Sequence, residues 1–322
     1  MRSSQLRRIR NSPAVGKGMH MEYTKGLLAL VLISLSGLTL QAEPFISPEP
    51  HKVTWAVNDG PPFHILDGDY QSQGFCDVLV KEMIQAMPDS EHEVLTIPPA
   101  RIARLREKRA PLCFPCMIQR PDTPITRYSA ATLYYQPHQL IASASSAGLI
   151  GQRYGQPVDF AALLQDPSLQ FGRPLGRAYG DELQPLLDQF SESQPNHRVL
   201  SGKSTLALNM VALGRLDYTL DYPVIGRYFE LTEKENLYYL PIAQNQNSPI
   251  IGAIGCSNTE WGKRTIEKID TALVEVLRSE PYLSSIGFWF TKNNPDFWQN
   301  YKEHVLKPIR ENDDEKKASL AE

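Results

Sequence analysis

The sequence predicts an α/β fold, as one large domain or as two lobes, and three features bear on it. Val53, Trp55 and Val57 alternate with Thr54 and Ala56 as a strand does, and Phe75, Val78, Leu79, Met83, Ile84 and Met87 then trace one helical face. A similar strand–loop–helix order returns at Leu169–Phe190. Between them, residues 144–156 are rich in Ser, Ala and Gly, which suits a passage between lobes. The length agrees: setting aside a 42-residue leader leaves 280 of 322 residues, enough for one large domain or two moderate lobes.

That leader reads as a secretory signal peptide. Arg2, Arg7, Arg8, Arg10, Lys17 and Lys25 precede the apolar run Leu27–Leu40, and Leu40-Gln41-Ala42 offers a cleavage site ending in a small residue. The run is short for a membrane span, with an uncleaved anchor as the alternative, and Met19 or Met21 as alternative starts. Removing the leader's six basic and one acidic residues from totals of 33 and 36 leaves 27 and 35, a net charge of −8. An acidic exported chain without basic blocks is a poor nucleic-acid binder. The expected location is outside the inner membrane, with no cofactor.

All four cysteines, Cys76, Cys113, Cys116 and Cys256, follow the leader. An oxidising compartment favours pairing, and four cysteines allow three connectivities. Cys113-Phe114-Pro115-Cys116 has the spacing of a redox pair, but that motif opens a helix and these residues read as strand. A structural bridge from Cys113 or Cys116 to Cys256 is favoured. Zinc would need further ligands nearby.

In chain order, Asn58-Asp59-Gly60-Pro61-Pro62 stops the first strand, because proline donates no backbone hydrogen bond and restricts its predecessor. Phe63 is thereby held at a strand's carboxyl end, where open α/β sheets bind ligands; the plain alternative is a core aromatic. A polar hairpin is expected at residues 67–74, with His64 a surface residue of it. Pro98–Arg109 reads as a helix whose charges are a solvated face, except that Arg101 in its first turn could reach the sheet edge. A buried strand follows at Leu112–Ile118, then the turn from Gln119 to Pro124, then strand residues Leu133–Tyr135 and Leu140–Ala142.

Beyond the passage, Phe160–Leu164 is a short helix, and Leu169–Gly172 a strand feeding the loop Gly176–Gly180 and helix Asp181–Phe190. Such a loop presents free backbone N–H groups, an anion site. Ser201-Gly202-Lys203-Ser204 lacks the glycine a phosphate loop requires, since His197 stands there, and Ser201 reads as the cap of helix Ser204–Leu213. Leu216–Leu220 is a buried strand ending at Asp221-Tyr222-Pro223, where a carboxylate and a phenol could meet a ligand or Asp221 could cap a helix. Strands at Tyr238–Pro241 and Ile250–Ile254, a long amphipathic helix Trp261–Arg278 and an apolar segment Tyr282–Phe290 complete the order. Residues 308–322 are expected to be a disordered charged tail.

The run Asn58–Phe63, Gly214–Val224, and Cys256 followed by Glu260–Lys263 resembles the bacterial extracellular solute-binding proteins of family 3, the polar-amino-acid-binding type. The resemblance covers about Val53–Phe290. It implies a type II two-lobe periplasmic-binding-protein-like fold with a hinge of two crossing strands, lobe 1 being 50–142 plus 252–300 and lobe 2 143–251. It implies that Phe63 stacks on the ligand, Asp221 takes a ligand ammonium, and Gly176–Gly180 gives backbone contacts. One departure matters: where such binders place an arginine to grip a carboxylate, this chain has Thr123, with Arg120 or Arg101 as substitutes.

The sequence therefore predicts a solute-binding protein closing on a small polar ligand, with Asn58, Phe63, Arg101, Arg120, Thr123, Tyr135, Arg177, Tyr179, Asp221 and Tyr222 as site residues. Its expected partners are an inner-membrane permease or a receptor, and the expected state is a monomer. The alternatives are a dehydratase-like enzyme on the same scaffold, with His64 and Glu182 near the cleft, and a thiol–disulfide protein using Cys113 and Cys116.

Overall fold

The computed structural model describes residues 51–190, 194–202, 205–292 and 294–309. β1 (His51–Val57) turns Val53 and Trp55 fully inward, as its alternation requires. The chain continues through α1 (Phe75–Ala86), β2 (Ser90–Thr96), α2 (Pro99–Glu107), β3 (Cys113–Ile118) and β4 (Thr126–Tyr135). It then enters β5 (Gln139–Ala142), α3 (Ala144–Tyr154), α4 (Phe160–Leu163), β6 (Phe171–Pro174), α5 (Gly180–Phe190), β7 (His197–Leu200), α6 (Leu206–Ala212) and β8 (Tyr218–Asp221). α7 (Pro223–Glu233) and β9 (Tyr238–Leu240) follow, then β10 (Ile250–Ser257), α8 (Glu260–Val276), α9 (Glu280–Phe290) and α10 (Phe297–Tyr301), which runs on as a π-helical turn over Lys302–Leu306.

Two five-stranded mixed sheets result, in the orders β2-β1-β3-β10-β4 and β7-β6-β8-β5-β9. β1 pairs parallel with β2 and β3, and β10 runs antiparallel between β3 and β4. In the second sheet β6 pairs parallel with β7 and β8, while β5 is antiparallel to β8 and β9. The chain crosses between sheets twice, at residues 136–138 and 241–249.

The first sheet packs Trp55, Leu133 and Ile254 against Phe75 and Leu79 of α1, Ile269 and Leu273 of α8 and Trp289 of α9. In the second, Phe160, Leu163, Leu183 and Leu187 cover Phe171, Tyr218 and Leu220. α8 shows why the long helix was readable: Thr259 caps it by accepting the Gly262 N–H, and Ile266, Ile269, Leu273 and Val276 recur at helical spacing on its buried side. Two disulfides, Cys76–Cys116 and Cys113–Cys256, fasten β3 to α1 and to β10.

Several sequence expectations are corrected. The Ser/Ala/Gly-rich stretch is helix α3, capped by Ser143 and covering the second sheet; the actual crossing is the three residues before β5. Its buried side is made by Ala147 and Ile150, while Ala144, Ser145 and Gly148 face outward. Residues 139–142 accordingly pair in the second sheet and not the first. Residues 67–74 form successive turns, not a hairpin, and His64 is buried. Thr205, not Ser201, stands at the N-cap position of α6, and its side chain makes no capping bond. Pro308 and Ile309 continue the terminal helix, Ile309 lying in the core; 310–322, like the leader, are outside the described residues. Cys113 and Cys116 each pair elsewhere, which removes the redox-pair reading. No helix among the described residues is long and apolar enough to cross a membrane.

Candidate functional site

The turn after β1 is tied to the start of α1. Phe63 donates its N–H to Gly60 O at 2.9 Å, and its own carbonyl accepts the Cys76 N–H at 3.0 Å. A Cβ on Gly74 would collide with that carbonyl, so only glycine lets the helix start this close. Asp77 secures the arrangement: Oδ2 accepts the N–H groups of Ile65 at 2.9 Å and Gly74 at 3.2 Å, and Oδ1 lies 2.7 Å from His64 Nδ1. An ionised carboxylate only accepts, so Nδ1 is the donor of that bond. Phe63 is thus aimed by backbone bonds on both sides.

Opposite, β6 ends at Pro174 and the chain turns through Gly176 and Gly180, at φ +77° and +78°, where glycine is the residue without steric penalty. Between the two walls lies a cavity of about 470 Å³, lined by Asn58, Phe63, His64 and Cys116 from the first and by Arg177 and Ser201 from the second. A neighbouring cavity of about 320 Å³ lies between Arg120 and Tyr179, with Asn245 and Ser248 on its wall. Both cavities sit where strands of the two sheets end toward each other.

Behind them is a sealed layer. Asp221, at the end of β8, is 1% exposed, and its Oδ2 accepts from Arg177 Nη2 at 3.2 Å. Oδ1 accepts the Tyr222 N–H at 2.9 Å; Arg177 Nε is 3.2 Å from it but too poorly aligned for a hydrogen bond. Burial pushes the Asp221 carboxyl above its usual range, and the guanidinium and the Tyr222 N–H oppose it. The guanidinium also lies 5.9 Å from the centre of the Tyr222 ring. Rings connect the walls: Phe63 stacks on Tyr135 at 6.0 Å, Tyr135 meets Tyr222 at 5.6 Å, and Tyr222 meets His138 at 4.0 Å. His138 belongs to the crossing itself and is fully buried with both ring nitrogens unpartnered; burial first and Arg177 second push its pKa down to about 3. Burial likewise raises the phenols of Tyr179, Tyr222 and Tyr135, so all three stay neutral.

Of the residues the sequence singled out, Asn58, Phe63 and Arg177 line the first cavity and Arg120 and Tyr179 the second, while Tyr135, Asp221 and Tyr222 form the layer behind. Arg101 stays exposed on α2 and lines neither cavity. Thr123 is occupied locally: its hydroxyl accepts the N–H groups of Ile125 and Thr126, holding the turn into β4. His138 was missed as a cleft residue; His64, which the enzyme alternative placed near the cleft, lines the first cavity, but its bond to Asp77 was missed. The Asp thirteen positions after His64 was the one signal available, and it is too remote in sequence to read without the fold.

No protein-family model and no curated protein sequence matches the chain. Solved structures do. The ancestral amino acid-binding protein AncCDT-1, described as a precursor of cyclohexadienyl dehydratase, is similar at TM-score 0.55 and 13% identity, over 75% of this chain and 96% of that one. The fold is that of the two-lobe periplasmic binding proteins. A mutant of ArgBP from T. maritima is similar to this two-lobe protein at TM-score 0.56 and 15% identity, over 75% and 96% of the respective chains. A putative binding component of an ABC transporter from Wolinella succinogenes DSM 1740, complexed with lysine, gives 0.55 and 13%, over 75% and 97%.

Proposed function

We propose that this is a periplasmic solute-binding protein that captures a small polar ligand between its two lobes by hinge closure. The observation that carries this is the cavity of about 470 Å³ whose walls come from both sheets, with Phe63 on one and Arg177 on the other. A ligand touching both walls binds the shut form better than the open one, and that difference alone drives closure. The lobes are residues 51–135 with 250–309, and residues 139–240, hinged at the two crossings. The protein is exported by its leader, acts as a monomer, and hands its closed form to an inner-membrane permease or a receptor.

Supporting the reading, the neighbours of known structure include an amino acid-binding protein and a component complexed with lysine. The sequence's expectation for Asp221 is revised: the carboxylate is sealed by Arg177, so it shapes the site rather than touching the ligand. A thermal-shift screen against amino acids, amines, peptides and organic acids tests the proposal. A ligand at about 100 times its Kd adds roughly 2.7 kcal/mol of stability, and small-angle scattering on that complex should show a smaller radius. No shift from any compound class removes the proposal.

The His64–Asp77 pair at the cavity edge favours a second reading, an enzyme on this scaffold, because a carboxylate-oriented imidazole can move a proton. Turnover of any compound found to bind separates the two.

A further inference from the structure

Arg177 fills the place that a cationic ligand would take. Asp221 is 1% exposed and engaged by Nη2 and by the Tyr222 N–H, so an ammonium group arriving through the cavity meets the guanidinium before the carboxylate. Bringing two cations together out of water is unfavourable, and nothing on the first wall offsets it. Among the described residues, Asp59 is the one acidic residue lining this cavity, and it is exposed.

The same pair leaves the cavity a good host for an anion. A guanidinium carries five N–H donors. Nη2 donates to Asp221 and Nε, although 3.2 Å from Oδ1, makes no hydrogen bond, while Nη1 has no protein partner among the described residues. Its orientation is fixed by the carboxylate beneath it and by the Tyr222 ring beside it, which reduces the entropy lost on gripping a second carboxylate. Across the cavity, His64 commits Nδ1–H to Asp77 and lines the same wall as Asn58 and Phe63.

Resting on the solute-binding reading, we propose that the ligand is a small carboxylic acid without an ammonium group. Its carboxylate is received by Arg177, and Asp221 serves as the fixed counter-ion that holds the guanidinium and bars amines. The body of the acid lies along Phe63, with its distal polar atoms toward His64 and Asn58.

Thermal unfolding with matched pairs differing only in the amino group tests this: glutamate against glutarate, phenylalanine against 3-phenylpropionate, and alanine against propionate, with putrescine and glucose beside them. At least one deaminated acid should raise the midpoint by a few degrees while its amino partner at equal concentration leaves it in place. A larger shift from an amino acid or from putrescine overturns the acid class and leaves the clamp standing, as does a shift from glucose alone. No shift from any probe overturns both. With the acid in hand, Arg177→Lys keeps the charge but loses the fork, and should weaken binding at least tenfold. Unchanged affinity in a folded Arg177→Lys variant overturns the proposal.

Discussion

Arg177 stands between Asp221 and the cavity, 3.2 Å from the carboxylate and on the lining of the space in front of it. A carboxylate 1% exposed has little water to screen its charge, so the charge depends on Arg177, its one cationic partner among the described residues. Arg177→Ala should cost about 3 kcal/mol in urea denaturation, because it strands a buried charge. The double variant Arg177→Met with Asp221→Leu should recover much of that loss, since the apolar pair needs no counter-ion. A full-size loss in the double variant would show that packing, not charge pairing, sets the cost.

The two disulfides carry a prediction about accessibility and one about stability. All four cysteines are paired, so alkylation of the denatured but unreduced protein should label none of them, and labelling after reduction should reach four. By loop closure, a bridge spanning 143 residues limits the unfolded chain by about 5 kcal/mol and one spanning 40 by about 4 kcal/mol. Cys76→Ser with Cys116→Ser should lower the denaturation midpoint and also weaken ligand binding, because Cys116 lines the cavity. Cys113→Ser with Cys256→Ser, within the sheet, should lower stability without changing affinity in the protein that remains folded.

The contrast between what was legible and what was not has a local cause. β1, α8 and the Asp221-Tyr222-Pro223 strand end were readable because period-2 and period-3.6 apolar patterns, capping residues and prolines act over a few positions. Phe63 and Arg177 were readable as cleft residues because both follow strand ends on glycine- or proline-marked loops. Their partners were not. Asp221 is forty-four residues from Arg177 and His64 thirteen from Asp77, and nothing in the intervening sequence records which side chains meet. The passage between lobes was misplaced for a similar reason: small residues suit a flexible connector and a tightly packed helix equally, and burial by the second sheet decided for α3.

His138 makes stability depend on pH in a stated direction. Its imidazole titrates near 6.5 when unfolded and near 3 when folded, since burial and Arg177 both oppose the charge. Between those values the unfolded chain binds the extra proton, so this contribution is full above pH 6.5 and shrinks as pH falls toward 3. The limiting slope for one proton is about 1.4 kcal/mol per pH unit. Urea denaturation at pH 7 and pH 5 should show the protein weaker at pH 5, and His138→Phe should flatten that difference. An equal difference in the variant would assign the acid sensitivity to other groups.

Phe63 tests whether the cleft aromatic belongs to the ligand or only to the core. Its ring centre lies 4.8 Å from Phe75 and 6.0 Å from Tyr135, so part of it packs inward while the rest lines the cavity. Phe63→Leu keeps most of the apolar volume and removes the flat face, and should cost about 1 kcal/mol in folding stability. Loss of stacking should weaken ligand binding by about tenfold, or about 1.4 kcal/mol, in calorimetric titration. Leu213→Ser, at a position 65% exposed and lining neither cavity, is the control and should leave affinity in place. If Phe63→Leu binds as tightly as the parent while losing stability, the ring is a core residue and the ligand rests on the second wall alone.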